Sequence, residues 1–285
     1  MKETTWKKYE EIDGLPNSIS VEVSVEDNVQ FTSFDVNRLA QLYYLENDSD
    51  DNPVRGEQSC KSIERAIDFL FEKEEWTQKD VHRMLAWKLG KINHRECEKQ
   101  NKDKEIAQEF IFHNGWSNDN NESYYRMQLP NSSVIEGEDF NSLAKKVCDL
   151  HKSYYRKEIG SEGVWEELVG FASDEKYNGL GTVYLVTLLY FITNKDKPIY
   201  DRFAMAALVV KELEEKGILI HNDAVIRGCS SLPSKKEAKG KKLLTEINQY
   251  KQYCALLKKH FPNDGWKGRD VDRALWVYGH YFKVP

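Results

Sequence analysis

The chain of 285 residues is 40% hydrophobic and 31% charged, with a formal net charge of −6. This composition is typical of globular proteins and excludes an intrinsically disordered chain. No apolar run reaches the roughly 18 residues that a membrane helix needs, and the longest, Val183 to Thr193, is much shorter. The N-terminal residues lack the apolar segment of a secretory signal. Net acidity does not favour a nucleic-acid partner, but it does not exclude one, because binding depends on where the charges lie.

The cysteines and histidines give no sign of a metal or redox centre. The five cysteines are scattered and odd in number, and none forms a Cys-x-x-Cys pair. They therefore indicate neither a disulfide framework nor a zinc or iron–sulfur site. His151, His221 and His280 have no partners at metal-ligand spacing. We expect no metal, no cofactor and no membrane partner, and a reduced, cytoplasmic setting.

The first elements are predicted to be a β hairpin and a helix. Residues Ile19 to Val25 alternate apolar and polar side chains, and Val29 to Phe31 resume after a polar break. Alternation with period two is typical of strands, so the two runs predict a short hairpin. Ser33 then opens a helix with Phe34 and Leu39 on its apolar face.

Two further helices and a basic segment follow. Helical spacing of apolar residues predicts one helix over Cys60 to Glu74. Thr77 and Asp80 form a capping-box pattern, which predicts that the next helix begins there. The basic residues between Lys88 and Lys104 indicate a solvated helix end and loop.

A polar, irregular connection is predicted from Asn114 to Ser133. It divides the chain into an N-terminal lobe, residues 1–130, and a helical lobe, residues 131–285. The fold class is therefore mostly α, with a small N-terminal β hairpin. The basic run Lys235 to Lys242 favours a solvated loop, with phosphate contacts as the alternative. The helices predicted in the second lobe cover Glu138 to Tyr155, Ser161 to Ala172, Asp201 to Lys216, a segment containing Tyr250 and Tyr253, and Asp270 to Phe282.

The stretch from Tyr177 to Leu208 has a more specific pattern. It combines the turn Gly179-Leu180-Gly181, an almost entirely apolar helix, and a Pro-Ile-Tyr-Asp sequence before the next helix. Two glycines allow a tight turn and close approach by another molecule, and the amides that open the following helix suit a phosphate. Such a helix-hairpin-helix binds a nucleic-acid backbone without reading its sequence. The alternative is a helix end followed by an ordinary tight connection.

The segments GLGTVYLVTLLYF and PIYDRFAMAAL resemble the helix-hairpin-helix DNA glycosylase superfamily, and its 8-oxoguanine glycosylase-like branch in particular. The final segment, RDVDRALWVYGHYF, is similar to the C-terminal helix of bacterial members of that kind. The resemblance covers residues 165–208 and the last helix, and the N-terminal half matches nothing. It implies a two-lobed helical fold and cleavage of the N-glycosidic bond of an extruded, damaged or modified base in duplex DNA.

The resemblance also implies roles for individual residues. Asp201 matches the family's catalytic aspartate, which stabilises oxocarbenium character in the sugar and helps to activate the nucleophile. Gly179, Gly181 and Thr182 match the DNA-binding hairpin. For Asp201 the alternative is simple helix capping, since aspartate is among the best N-caps.

The last helix of the family often lines the base pocket. Trp276, Tyr278 and Phe282 are the corresponding aromatic candidates here. An extruded base needs such a pocket, because its reacting atoms are out of reach inside the duplex. The alternative for these residues is aromatic core packing at helical spacing.

One position departs from the family pattern. Members that also cleave the DNA strand carry a nucleophilic lysine two residues after the second hairpin glycine, where this chain has Val183. Valine cannot act as a nucleophile. We therefore expect a monofunctional enzyme that uses water, unless Lys195 or Lys197 reaches the site. The four-cysteine iron–sulfur cluster of other branches is also missing.

Three readings stay open. The protein is either such a glycosylase or a catalytically inactive helix-hairpin-helix module that binds nucleic acid or another protein. A helical scaffold with an accidental motif is a third reading. The sequence identifies neither the base nor the choice between DNA and RNA.

Overall fold

The computed structural model describes residues 6–9, 19–24, 30–47, 49–56, 58–113, 115–118, 124–177, 179–229, 232–233, 237 and 244–285. Within these ranges the chain is mostly helical, which confirms the predicted class. The elements in chain order are β1 (Trp6–Tyr9), β2 (Ser20–Ser24), α1 (Val36–Leu42), α2 (Lys61–Asp68), α3 (Gln78–Lys88), α4 (His94–Gln100), β3 (Ser117–Asn118), β4 (Tyr125–Gln128), β5 (Val134–Glu136), α5 (Gly137–Tyr155), α6 (Ser161–Phe171), α7 (Thr182–Ile192), α8 (Arg202–Glu215), β6 (Val225–Arg227), α9 (Asn248–His260) and α10 (Arg269–Gly279).

The chain folds into two compact units that alternate along the sequence. Unit 1 comprises Met1–Gln58, Tyr200–Leu232 and Asn248–Pro285. Unit 2 comprises Ser59–Ile199 and Pro233–Ile247. This division differs from the two successive lobes, 1–130 and 131–285, that the sequence predicted.

Unit 1 contains a three-stranded antiparallel sheet in the order β1-β2-β6. The predicted strand is confirmed by β2, whose Val21 and Val23 are buried as the alternation requires. Its partners differ from the predicted ones. Val21 lies opposite Ile226 of β6, whereas Phe31 is not in a strand and Val29 lies outside the described residues. Pairing with β6 depends on a contact distant in sequence, which local alternation does not reveal.

Helix α10 lies at the centre of unit 1 and packs against α1 and α8. Its fully buried Tyr278 has its hydroxyl 3.0 Å from the Thr32 carbonyl and 2.8 Å from Glu214 Oε1. The helix predicted to open at Ser33 begins later, because Asp35 is the N-cap and its Oδ1 accepts a hydrogen bond from the Arg38 amide at 2.7 Å.

Unit 2 confirms the predicted start of α3. The Thr77 amide donates to Asp80 Oδ2 at 2.8 Å, and the Asp80 amide donates to Thr77 Oγ1 at 3.4 Å. This reciprocal pair satisfies two amides that the first turn leaves without helical partners. Asp80 is buried and also forms an ion pair with Lys73 at 2.8 Å.

Two segments of unit 2 differ from the predictions. The stretch from Lys88 to Lys104 contains helix α4, which Asn93 caps and which buries Cys97. The stretch from Asn114 to Ser133 contains β3 and β4, which join β5 in a second antiparallel sheet. Met127 pairs with Ile135 there, and both are buried. Buried side chains, such as Ile92 and Cys97 in the first segment and Trp116 and Met127 in the second, organise residues whose composition is otherwise polar.

The apolar run predicted around Val183 to Thr193 forms α7. Leu185, Leu188 and Phe191 are among its many buried residues. A helix that is apolar on every side is typically enclosed by other elements, as α7 is in unit 2. None of the helices in the described ranges combines the length and apolarity that crossing a bilayer requires.

His82 on α3 is a buried histidine in the core of unit 2. Its ring lies among the aromatic side chains of Phe112, Trp116, Tyr125 and Phe140. Its Nε2 lies 3.2 Å from the Arg126 carbonyl. Burial lowers the pKa of His82 to about 4, so the ring is neutral in the folded protein at neutral pH.

This burial predicts a loss of stability in mild acid. The unfolded chain binds a proton on His82 below pH about 6.5, whereas the folded protein does so only near pH 4. Stability therefore falls as pH drops through that window. Between pH 7 and pH 5 we expect His82 to contribute a loss of about 2 kcal/mol in the free energy of unfolding. Urea unfolding of His82→Gln should show a correspondingly shallower pH dependence, and an unchanged slope would contradict the prediction.

Candidate functional site

The predicted hairpin lies in unit 2, between the end of α6 and the start of α7. The two helices pack against each other, and Leu180 at the middle of the turn is fully buried. Asn178 lies outside the described residues. The turn is therefore anchored from the inside by Leu180, with a glycine on either side.

Gly179 is required by the fold of unit 2 itself. Its φ is +95°, a conformation that L residues rarely adopt. A Cβ at this position would also lie 2.3 Å from Asn131 Oδ1 and 2.4 Å from Ser133 Oγ. Asn131 Oδ1 accepts the Ser133 hydroxyl at 2.6 Å, so these two side chains form a small polar support beneath the turn. The support comes from the segment that the sequence predicted to be irregular.

Gly181 has neither a positive φ nor atoms in the space of a side chain, so neither reason for a glycine applies to it. It is the N-cap of α7 with φ −79° and ψ 170°, and no described atom lies within 4 Å of the position its Cβ would take. The Tyr184 and Leu185 amides donate to the Gly181 carbonyl. The preceding amides of the first turn have no acceptor within the helix. The absent side chain leaves space for a molecule to approach them.

Thr182, the third predicted DNA-binding residue, is buried. Its hydroxyl donates to the Pro233 carbonyl at 2.5 Å. This hydrogen bond holds the first turn of α7 to Pro233, the first residue of the second segment of unit 2. Any contact of Thr182 with a ligand would therefore use its main-chain amide.

The structure also bears on the substitution at Val183. Val183 is half-buried on the first turn of α7. Lys197 Nζ forms an ion pair with Glu162 at 2.5 Å, and Lys195 Nζ lies 4.4 Å from the centroid of the Phe71 ring. Both lysines that were considered as substitute nucleophiles are thus engaged within unit 2.

Asp201 belongs to unit 1 and is the N-cap of α8. Its Oδ1 accepts the Phe203 amide at 2.8 Å, and its carbonyl accepts the Met205 amide at 2.9 Å. The side chain is half-buried. Capping thus holds the carboxylate in one orientation at the positive end of the α8 dipole.

Two buried tyrosines of unit 1 adjoin this carboxylate. Tyr200 directly precedes it, and the Tyr200 ring meets the Tyr253 ring edge-on at a centroid distance of 5.2 Å. Burial raises the pKa of both hydroxyls, and the charge of Asp201 contributes to each shift. Both tyrosine hydroxyls are therefore uncharged at physiological pH. Their rings make the surroundings of Asp201 apolar on the side that faces the interior of unit 1.

The first turn of α8 is held in place by a close helix–helix contact. A Cβ at Gly279 of α10 would lie 2.1 Å from the Phe203 carbonyl oxygen. Only glycine allows the two backbones to approach so closely. The contact fixes the turn that carries Asp201.

Four half-buried rings, here called the aromatic row, begin beside Asp201. Phe203 stacks on His280 at a centroid distance of 3.7 Å, His280 meets Trp276 at 4.1 Å, and Trp276 meets Tyr43 at 5.3 Å. His280 Nδ1 lies 2.8 Å from the Trp276 carbonyl. Only Trp276 of this row was predicted. The spacing of Trp276 and His280 by four residues was the available signal, while Phe203 and Tyr43 come from other segments.

The predicted pocket residues lie on two faces of the C-terminal segment. Trp276 is in the aromatic row, whereas Tyr278 and Phe282 are buried in the core of unit 1 with their rings 5.2 Å apart. Residues two apart on a helix do not share a face, which explains the separation. In unit 1, Phe203 hydrogen-bonds to Asp201 through its amide and contacts His280 with its ring, and His280 contacts Trp276. The three hairpin residues lie together in unit 2.

Comparisons with known protein families, with curated proteins and with solved structures found no match. The similarity to helix-hairpin-helix glycosylases rests on the residues quoted above, and it stays a prediction.

We expect Gly279→Ala to destabilise the protein by about 2 to 3 kcal/mol, because the added methyl group overlaps the Phe203 carbonyl and forces α8 and α10 apart. Gly170→Ala on α6 is the matched control. No described atom lies within 4 Å of its Cβ position, and alanine raises helix stability by up to about 1 kcal/mol. Chemical denaturation measures both, and equal effects of the two changes would refute the close contact.

Proposed function

We propose that this protein is a monofunctional DNA N-glycosylase that removes a damaged or modified base with water as the nucleophile. One observation carries the proposal. Asp201 is a half-buried carboxylate, oriented by the Phe203 amide, and the aromatic row starts at that same Phe203. An oriented negative charge next to stacked rings suits a reaction on a sugar whose base has left the stack.

Asp201 would act on the sugar. Cleavage of an N-glycosidic bond develops positive charge at the sugar, and a carboxylate that is already fixed stabilises that charge without reorganisation. The same group accepts a proton from the attacking water. The hydrogen bond from the Phe203 amide, at 2.8 Å, holds the carboxylate in the fixed position that both roles need.

The aromatic row would contact the extruded base. Aromatic rings stack on any base, and such contacts contribute about 1 to 3 kcal/mol per base. Trp276 of α10 and His280, which caps the end of α10, are half-buried, and Arg202 lies over Phe203 at 4.9 Å from the ring centroid. A cation over the ring strengthens its attraction for a π system or a phosphate.

The hairpin would hold the DNA backbone. The open surface at Gly181 and the amides of the first turn of α7 suit a phosphate oxygen, as helix N-termini commonly do. Such contacts position the DNA and do not read its sequence. Since the net charge is −6, we expect affinity to come from local donors and to fall steeply with salt.

Val183 makes the expected product an intact abasic site, because a lyase step needs an amine nucleophile. Lys197 and Lys195 are already engaged by Glu162 and Phe71.

The five cysteines are free thiols, which fits the proposed cytoplasmic setting.

Asp201→Asn tests the catalytic role. Asparagine caps a helix as well as aspartate does, so the change removes the charge and keeps the fold. On a panel of duplexes with single lesions, wild-type protein should produce alkali-labile abasic sites that borohydride does not trap. Asp201→Asn should reduce the rate by about 100-fold or more while DNA binding persists.

Asp35→Asn is the matched control, because Asp35 caps α1 of the same unit through a similar hydrogen bond. It should leave the rate unchanged. If wild-type protein binds every duplex but excises no base, the inactive binding module is the correct reading.

Gly181→Ser tests the hairpin. Serine is a slightly better N-cap than glycine, so we expect stability to rise by about a few tenths of a kcal/mol. The new side chain occupies the open approach and competes for the first-turn amides, so DNA affinity should fall about tenfold in a low-salt binding titration.

Gly160→Ser provides the matched control. Gly160 is the N-cap of α6 and also has no described atom within 4 Å of its Cβ position. It should gain similar stability without any change in DNA affinity. Equal affinities of the two serine variants would exclude a phosphate contact at Gly181.

A further inference from the structure

A cluster of potential metal ligands lies in unit 1 at the end of α8 opposite to Asp201. Glu212 and Glu215 are three residues apart on one face of α8, and His260 is the last residue of α9. One ligand atom from each residue lies within 4.8 Å of the other two. Two helices form the cluster, so the spacing of histidines along the sequence did not predict it.

The imidazole of His260 is enclosed and oriented by one carboxylate. Its side chain is 0% exposed, and Nδ1 lies 2.9 Å from Glu215 Oε1. A hydrogen bond from Nδ1–H to a carboxylate leaves the lone pair on Nε2. This is the arrangement in which a carboxylate orients a histidine for a metal.

The other nitrogen of His260 is directed at a buried carboxylate without bonding to it. Nε2 lies 3.5 Å from Glu212 Oε2, whose side chain is only 4% exposed. Nε2 makes no hydrogen bond to any residue that the structure describes. A buried imidazole nitrogen without a hydrogen-bond partner, next to a buried carboxylate, favours a cation between or beside the two.

Lys259 at present supplies positive charge at this position. Its Nζ lies 2.5 Å from Glu212 Oε2 and 3.3 Å from Glu215 Oε2. The Lys259 side chain is 51% exposed, so its flexible stem can turn into solvent when another cation takes its place beside Glu212. Lys216 Nζ, 3.4 Å from Glu212 Oε1, contacts the other oxygen and would not be displaced.

We propose that Glu212, Glu215 and His260 form a binding site for a divalent transition metal, with Zn²⁺ as the best match. The ion would take the place of the Lys259 ammonium. One imidazole and two carboxylates are typical ligands of Zn²⁺, and water completes the coordination where Glu215 is exposed. An imidazole ligand disfavours Mg²⁺ and Ca²⁺, which prefer oxygen.

The consequence of binding would be a link between α8 and the end of α9. A ligand that binds only the folded state stabilises it in proportion to the logarithm of its concentration. The proposal is independent of the glycosylase proposal, because it concerns the opposite end of α8 from Asp201.

The test is a calorimetric titration of the full chain with ZnCl₂. We expect one equivalent to bind. Lys259→Met should tighten binding about tenfold, because it removes the competing ammonium, and His260→Gln should weaken it at least tenfold. His113→Gln, at an exposed histidine of unit 2, is the control and should have no effect. Co²⁺ bound to the Lys259→Met variant should show d–d bands without thiolate charge transfer.

Three results would overturn the proposal. These are no Zn²⁺ binding by wild type and by Lys259→Met, binding that His260→Gln leaves unchanged, and a thiolate band with Co²⁺, which would place the ion on a cysteine. If His260→Gln does not fold, as judged by circular dichroism, the Lys259→Met affinity and the Co²⁺ spectrum decide.

Discussion

The contact between Gly279 and the Phe203 carbonyl fixes the part of unit 1 on which the proposed chemistry depends. Because no side chain separates the two backbones, the first turn of α8 is set by the position of α10. The cap at Asp201 and the stack of Phe203 on His280 are both consequences of that placement. The Asp201 carboxylate and the rings of the aromatic row are therefore positioned by the same rigid contact. A preorganised charge can stabilise a transition state only if its position is fixed in this way.

The two glycines of the hairpin are the same residue type, but the structure has a different reason for each. The fold itself requires glycine at position 179, because Asn131 and Ser133 occupy the space that a side chain would fill. No described atom occupies the corresponding space at Gly181, so the start of α7 is open to approach by another molecule. Only Gly181 therefore supports contact with another molecule, although the sequence pattern predicted the same role for both glycines.

Local signals predicted the elements that local chemistry determines. The capping box at Thr77, the buried helix α7 and the N-cap position of Asp201 each depend on residues within one turn. The sheet β3-β4-β5, the pairing of β2 with β6 and the aromatic row depend on partners far apart in the chain, for which a single sequence contains no local signal. The row illustrates this, because Tyr43 and Phe203 reach Trp276 and His280 from separate segments.

The alternation of the two units along the chain has a consequence for biosynthesis. β2 is completed by β6, some two hundred residues later, so its edge is unpaired while unit 2 is being made. At roughly 5 to 20 residues per second that interval lasts about ten seconds or more. An unpaired edge strand invites pairing with other chains. Unit 2, most of which is continuous in sequence, can begin to fold during this time, whereas the sheet of unit 1 is complete only after β6 has been made.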